Sequence, residues 1–172
     1  SSDLASYGTR VSKDAKYWSS LMNTSANLPA RVFWDGLKWI TTRDDTNDVL
    51  VSYNDLIFTT TDVSNSTLTA VQHNGRLYVG IGKGGVFYSY DGIHWINSAS
   101  GTSLLNNGSS SQIGNLIWSG LLWVACGNGS AYSIIYSYDG ITWYGSTALT
   151  NIFTTAVYSV QWTGKIWIAT GS

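Results

Sequence analysis

The sequence predicts an all-β chain, a β-propeller of four four-stranded antiparallel blades with the last blade split between the two termini. Three observations predict it. A unit recurs four times around the chain, its strands are apolar at successive positions, and the two ends hold complementary halves of one unit. Internal repeats of about 40 residues carrying four short strands are the pattern of propeller blades.

In chain order, the first element is a second half-unit, Val11-Ser12-Lys13-Asp14-Ala15-Lys16-Tyr17-Trp18. A complete unit then opens at Phe33-Trp34-Asp35-Gly36-Leu37-Lys38-Trp39 and decays to Ser52-Tyr53-Asn54-Asp55-Leu56-Ile57-Phe58. The next runs from Val71-Gln72-His73-Asn74-Gly75-Arg76-Leu77-Tyr78-Val79 to Ser89-Tyr90-Asp91-Gly92-Ile93-His94-Trp95. The third runs from Leu116-Ile117-Trp118-Ser119-Gly120-Leu121-Leu122-Trp123 to Ser137-Tyr138-Asp139-Gly140-Ile141-Thr142-Trp143. The C-terminus supplies a first half-unit, Val160-Gln161-Trp162-Thr163-Gly164-Lys165-Ile166-Trp167-Ile168.

Equivalent positions Trp34, His73, Trp118 and Trp162 lie 39, 45 and 44 residues apart, and the path from Trp162 through both termini to Trp34 adds 44. The sequence reads as a circle cut inside one unit. Closure is therefore expected by pairing of the C-terminal strands with the segment near residues 8–20, all within one propeller domain spanning 1–172. Two chains, each giving half of an eight-bladed ring, would also complete the split blade, but a short closure loop costs less entropy than dimerisation, which favours the single-chain ring.

Within each unit a small polar residue and a glycine separate two apolar runs, as in Trp-Asp-Gly-Leu and His-Asn-Gly-Arg. Such pairs suit two-residue turns with positive φ. Strands such as Leu122-Trp123-Val124-Ala125 and Ile166-Trp167-Ile168-Ala169 do not alternate, so both their faces are expected to be covered. A blade between two neighbours meets that demand, whereas a two-layer sandwich wets one face of each sheet. No helical periodicity is visible, and the one proline, Pro29, reads as part of a connection.

Composition narrows the function. Charged residues make up 11% of the chain and aromatics 14%, including 9 Trp and 11 Tyr, with a net charge of -1. The 9 Lys and Arg form no clustered basic footprint of the kind nucleic-acid binding uses. No apolar run approaches the ~20 residues of a spanning helix, so no membrane partner is expected. Cys126 is the single cysteine and reads as a small buried filler. The two histidines, His73 and His94, stand where other units have Trp or Thr, and no spacing supports a metal site. No cofactor is expected.

The segments Ser137 to Trp143 and Ser89 to Trp95 resemble the Asp-box of sialidase-like propellers, shortened by one residue between Asp and Gly. Ser12 to Trp18 keeps Ser, Asp and Trp, and Ser52 to Phe58 carries Asn54 and Phe58 in their place. The resemblance implies a blade signature, with Asp14, Asp91 and Asp139 holding turns and Trp18, Trp95 and Trp143 filling space between sheets. Sialidase-type chemistry would need an arginine cluster and a glutamate-activated tyrosine. The chain has four arginines and no glutamate. A glycosidase using two aspartates stays formally open, but Asp14, Asp35, Asp91 and Asp139 all fall in turns.

A non-enzymatic propeller acting as a binding or structural scaffold is the expected function. The loops joining second to third strands would share one face with both termini, and there Arg43, Asp44, Asp45, Asp48, Lys83 and Asn128 are the candidate ligand-binding residues, for a protein or glycan partner. A glycan-binding lectin is the alternative, given the aromatic content. The break inside one unit also fits a segment excised or engineered from a longer propeller, with no evolved function of its own.

Overall fold

The computed structural model describes residues 10–20, 29–43, 48–54, 59–62, 67–105, 113–129, 131–147, 152–153 and 155–172. Among these, five antiparallel sheets follow one another along the chain. A two-stranded sheet of β1 (Arg10–Val11) and β2 (Ser19–Ser20) comes first. The first complete blade comprises β3 (Pro29–Trp34), β4 (Trp39–Arg43), β5 (Asp48–Ser52) and β6 (Thr59–Asp62). The second comprises β7 (Thr67–His73), β8 (Tyr78–Lys83), β9 (Gly85–Ser89) and β10 (Ile96–Asn97). A helix, α1 (Ala99–Leu104), leads to the third blade: β11 (Ile113–Trp118), β12 (Trp123–Gly127), β13 (Ile134–Ser137) and β14 (Tyr144–Gly145). The chain ends in a two-stranded sheet of β15 (Val157–Trp162) and β16 (Trp167–Gly171).

Each complete blade is a meander in sequence order. In all four units the register of the first two strands shifts at the same repeat position, between Pro29 and Arg31, Leu68 and Ala70, Ile113 and Leu116, and Val157 and Ser159. Such bulges bend and twist a strand, so the inner pair of every unit curves alike. The first strand pair also closes on an aromatic pair each time: Trp34–Trp39 at 4.8 Å, His73–Tyr78 at 4.0 Å, Trp118–Trp123 at 4.8 Å and Trp162–Trp167 at 5.0 Å between ring centroids. The repeat read from the sequence is thus a repeat of register and packing.

The core lies between blades. Ile40, Val49 and Val51 of the first blade pack on Leu68, Val71, Tyr78, Phe87 and Trp95 of the second. Val79, Ile81 and Val86 of the second meet Leu116, Trp123, Ile135 and Trp143 of the third. Val124, Cys126 and Ile134 of the third meet Val157 and Val160 of the last sheet. The prediction that non-alternating strands are covered on both faces holds for β12, which is buried throughout.

It does not hold for β16, where Ile168 is exposed. Among the described residues the closure expected between the ends of one chain is not formed. Trp18 adjoins β2 and Trp167 lies in β16, and the two stand in separate sheets with no pairing between them. The described chain therefore has three four-stranded blades and two half-blades rather than four complete blades. Trp18 itself is exposed rather than filling space between sheets.

Three smaller expectations change as well. Pro29 opens β3 opposite Arg43 rather than lying in a connection, a strand-start position where its missing N–H costs no ladder bond. In the turns between first and second strands, only the glycine takes positive φ, as at Gly36 (98°) and Gly75 (89°). The polar residue before it caps the turn with its side chain instead. Helix α1 has no counterpart in the sequence reading. Ser98 caps it by accepting from the Gly101 N–H at 3.1 Å, the ordinary role of an N-cap serine. Ser98 Oγ also donates to the Ile141 carbonyl at 2.6 Å, and Ser100 Oγ accepts from the Trp143 N–H at 3.0 Å, clipping the second blade to the third.

Candidate functional site

The carboxylates are built into turns, and their geometry decides what they are free to do. In the third blade Asp139 Oδ1 accepts from the Ser137 hydroxyl at 2.9 Å and from the backbone N–H groups of Ile141 at 2.8 Å and Thr142 at 2.7 Å. In the second, Asp91 Oδ1 accepts from Ser89, Ile93 and His94 in the same manner. In the N-terminal half-blade, Asp14 Oδ1 accepts from Ser12, Lys16 and Tyr17. The residue after each aspartate takes positive φ: Gly140 at 80°, Gly92 at 74° and Ala15 at 61°. Ala15 holds the conformation without being glycine, so the turn survives its divergent sequence. Asp14, Asp91 and Asp139 each bind within their own turn.

These bonds favour the ionised form. Burial opposes ionisation of Asp91, but the His94 ring and backbone and the Ile93 N–H outweigh it and hold the carboxyl well below its usual range. Burial likewise opposes ionisation of Asp139, and the Thr142 and Ile141 N–H groups outweigh it. Asp14 is lowered chiefly by the Tyr17 and Lys16 N–H groups. A carboxyl held this firmly as an anion is a poor general acid. Replacing Asp139 with Ala is expected to lower stability by about 1–2 kcal/mol, the usual cost of losing a side-chain cap, while Asp139→Asn keeps most of it. Urea unfolding of both variants checks this.

A second group sits between the first and second blades. Asp35 Oδ1 accepts from the N–H groups of Leu37 and Lys38, each at 2.7 Å. Its Oδ2 pairs with Lys38 Nζ at 2.9 Å and accepts from the Tyr78 hydroxyl. Lys38 Nζ also donates to that hydroxyl at 2.5 Å and lies 4.5 Å from the Tyr78 ring centroid. Both side chains of the ion pair are almost fully buried. Burial works against the charge on Asp35, yet the Tyr78 and Lys38 donors hold its carboxyl far below the ordinary value. Burial also works against the charge on Lys38, and the same partners more than compensate, raising it. His73 stacks on the Tyr78 ring at 16°, and burial lowers its basicity. His94 pairs with Asp91 Oδ2 at 2.7 Å within its own turn. Burial pushes the Cys126 thiol up to about 11, opposed by the Asn115 N–H, so it stays a thiol.

Of the predicted ligand-binding residues, Asp44 and Asp45 lie outside the described residues. Arg43 ends β4, Asp48 begins β5, Lys83 ends β8 and Asn128 follows β12. All four stand at the blade ends where second strands pass to third strands. None of them lines either of two cavities between the blades. One cavity of about 220 Å³ lies along the innermost strands, lined by Arg31, Gln72 and Asn115 together with Val32, Val71 and Leu116. A larger groove of about 450 Å³ lies between the third blade and β15–β16. Sequence reasoning picked none of the residues lining these cavities as binding residues, because each position reads as an ordinary strand residue until blades stack. Among the described residues no group of three or more His, Cys, Asp or Glu is placed to hold a metal ion. No helix among the described residues is long and apolar enough to cross a membrane.

Among solved structures, the chain superimposes on the computationally designed Ika4 protein with a TM-score of 0.62 at 17% identity, over 89% of this chain and 90% of that one. The architecture is propeller-like. It also superimposes on the GH74 xyloglucanase from Xanthomonas campestris with a TM-score of 0.64 at 14% identity, over 90% of this chain and 29% of that one. The chain thus spans under a third of the enzyme's length. At these identities the likeness carries fold alone. No family profile and no curated protein matches the sequence.

Proposed function

We propose that the chain is a non-catalytic propeller segment that serves as a binding scaffold. The observation that carries this reading is that the turn carboxylates are engaged locally: Asp14, Asp91 and Asp139 each commit Oδ1 to three donors of their own turn. Groups so engaged organise loops, and rigidly held loops are where such folds place recognition. The face carrying Arg43, Asp48, Lys83 and Asn128 is the proposed contact surface, and the sequence adds Asp44 and Asp45 as candidates. With a partner in hand, the triple variant Asp44→Ala, Asp45→Ala, Lys83→Ala is expected to weaken binding at least tenfold. Unchanged affinity would remove the contact from that face.

One observation favours a glycan reading. Tyr53, Tyr90 and Tyr138 occupy the same repeat position on the opposite face, and all are exposed. Aromatic faces presented to solvent suit sugar rings. Xyloglucan, the polymer named for one of the structural neighbours, is the first probe, alongside a glycan array. Loss of a glycan signal in Tyr90→Ala with Tyr138→Ala supports the lectin; an array without hits for the parent protein disposes of it.

A further inference from the structure

The three blade-to-blade interfaces inside the chain show what both chain ends lack. At the position facing the next blade, Ile40 and Val79 are 0% exposed and Val124 is 5% exposed, yet Ile168 is 50% exposed. At the position facing the preceding blade, Val71, Leu116 and Val160 are 6%, 2% and 2% exposed, yet Val32 is 59% exposed. One end of the arc presents the donor face of a blade interface, and the other presents the acceptor face.

The half-blades match in the same way. Trp143 is 3% exposed and Trp95 is 9% exposed, whereas Trp18 is 61% exposed. Yet the turn holding Trp18 is fully formed. Its indole N–H donates to the Ala15 carbonyl at 3.1 Å, as that of Trp143 does to Gly140 at 3.3 Å. Trp95 packs among Ile40, Val49, Val51, Val71 and Tyr78. The repeat equivalents of those five are Val124, Ile134, Tyr136, Val160 and Trp167, and all five line the 450 Å³ groove. The groove is therefore the socket of a box tryptophan. Among the described residues β16 meanwhile pairs only with β15, and an open strand edge is a template for another strand.

We infer that a second copy of this chain supplies the missing half, so that two chains form one closed eight-bladed ring. The β1–β2 unit of each chain pairs with β16 of the other, Trp18 enters the groove, and Ile168 of one copy meets Val32 of the other. The register follows from the complete blades. Trp39↔Ser52, Tyr78↔Ser89 and Trp123↔Ser137 place Trp167 opposite Ser12. Ile40↔Val51, Val79↔Tyr88 and Val124↔Tyr136 place Ile168 opposite Val11. A head-to-tail contact that closes after two copies makes a ring rather than a fibre. This assembly stands whatever the scaffold binds.

The test is a paired-cysteine variant, Val11→Cys with Ile168→Cys, in a Cys126→Ser background. Paired antiparallel positions place Cα atoms within disulfide reach. Under non-reducing conditions the expected product is a covalent dimer of twice the 18.7 kDa chain mass. A single chain carrying an internal disulfide, or a chain with both thiols free, overturns the inference. Light scattering of the unmodified protein is expected to give the same doubled mass. Trp18→Ala, a change at a side chain exposed in the single chain, is expected to weaken association at least tenfold without altering the circular dichroism of dilute protein. An unchanged association constant also overturns it.

Discussion

Trp123→Ala is expected to destabilise the protein by about 3–5 kcal/mol, a large share of the total stability of a domain this size. Trp123 is fully buried and sits where the second and third blades meet, with Leu77, Val79, Leu116, Ala125 and Trp143 in the same cluster. Among the described residues its indole N–H has no hydrogen-bond partner. The loss is thus one of packing and cavity formation alone, which is the regime where the cost follows the volume left behind. The site has little freedom to collapse, because Trp123 is held in register against Ser137 on one side and Trp118 on the other. Trp123→Phe keeps an aromatic ring and is expected to cost less than half as much. Urea denaturation at one fixed chain concentration measures both, since association would otherwise shift the midpoint. Equal stability of Trp123→Ala and the parent would mean that this interface does not hold the blades together.

The contrast among equivalent tryptophans shows what could be read from sequence. The repeat spacing of Trp34, Trp118 and Trp162 is legible in the sequence, and so is the motif around the turn aspartates, because hairpin chemistry is local; the stacking of each on Trp39, Trp123 and Trp167 is not. Whether Trp18 or Ile168 is covered is not local. It depends on which sheet stands alongside, and the chain ends meet no such sheet in the single chain. Ala15 hid a left-handed turn, since only glycine advertises positive φ. Helix α1 hid because six residues show too little periodicity to register, and its cap, Ser98, resembles any loop serine in a chain rich in serine. The charged pair of the first blade was half visible. Lys38 stands where the other units have Leu77, Leu122 and Ile166, but its partner Tyr78 lies 40 positions along the chain, across a blade interface.

That pair gives the second large effect. Asp35→Asn is expected to cost about 3–5 kcal/mol, the range for leaving one charge of a buried pair uncompensated. The turn itself should survive, because Asn74 does the same work in the second blade, accepting from the Arg76 and Leu77 N–H groups at 3.0 and 2.8 Å. The damage is therefore assigned to Lys38. Adding Lys38→Leu rebuilds the second blade's own solution and is expected to recover most of the loss. Adding Tyr78→Phe removes a hydroxyl that would otherwise be stranded, at about 1–3 kcal/mol, and brings the triple variant level with the parent or above it.

The pH profile distinguishes this account from simple repacking. Asp35 is depressed in the fold, so its contribution is fully present above the unfolded carboxylate value of 3.8 and is lost as pH falls through the lower folded value. Lys38 is raised, so its contribution is present below the unfolded value of 10.5 and lost as pH rises through the folded one. Tyr78, raised by burial and by the Asp35 bond, adds to the alkaline loss in the same direction. Asp14, Asp91 and Asp139 share the acid loss, so the difference between parent and triple variant isolates the Asp35 part. The triple variant is expected to keep the acid loss of those three while showing a flatter alkaline limb. Parallel curves for the two proteins from acid to alkali would mean that the buried pair contributes nothing through its charge.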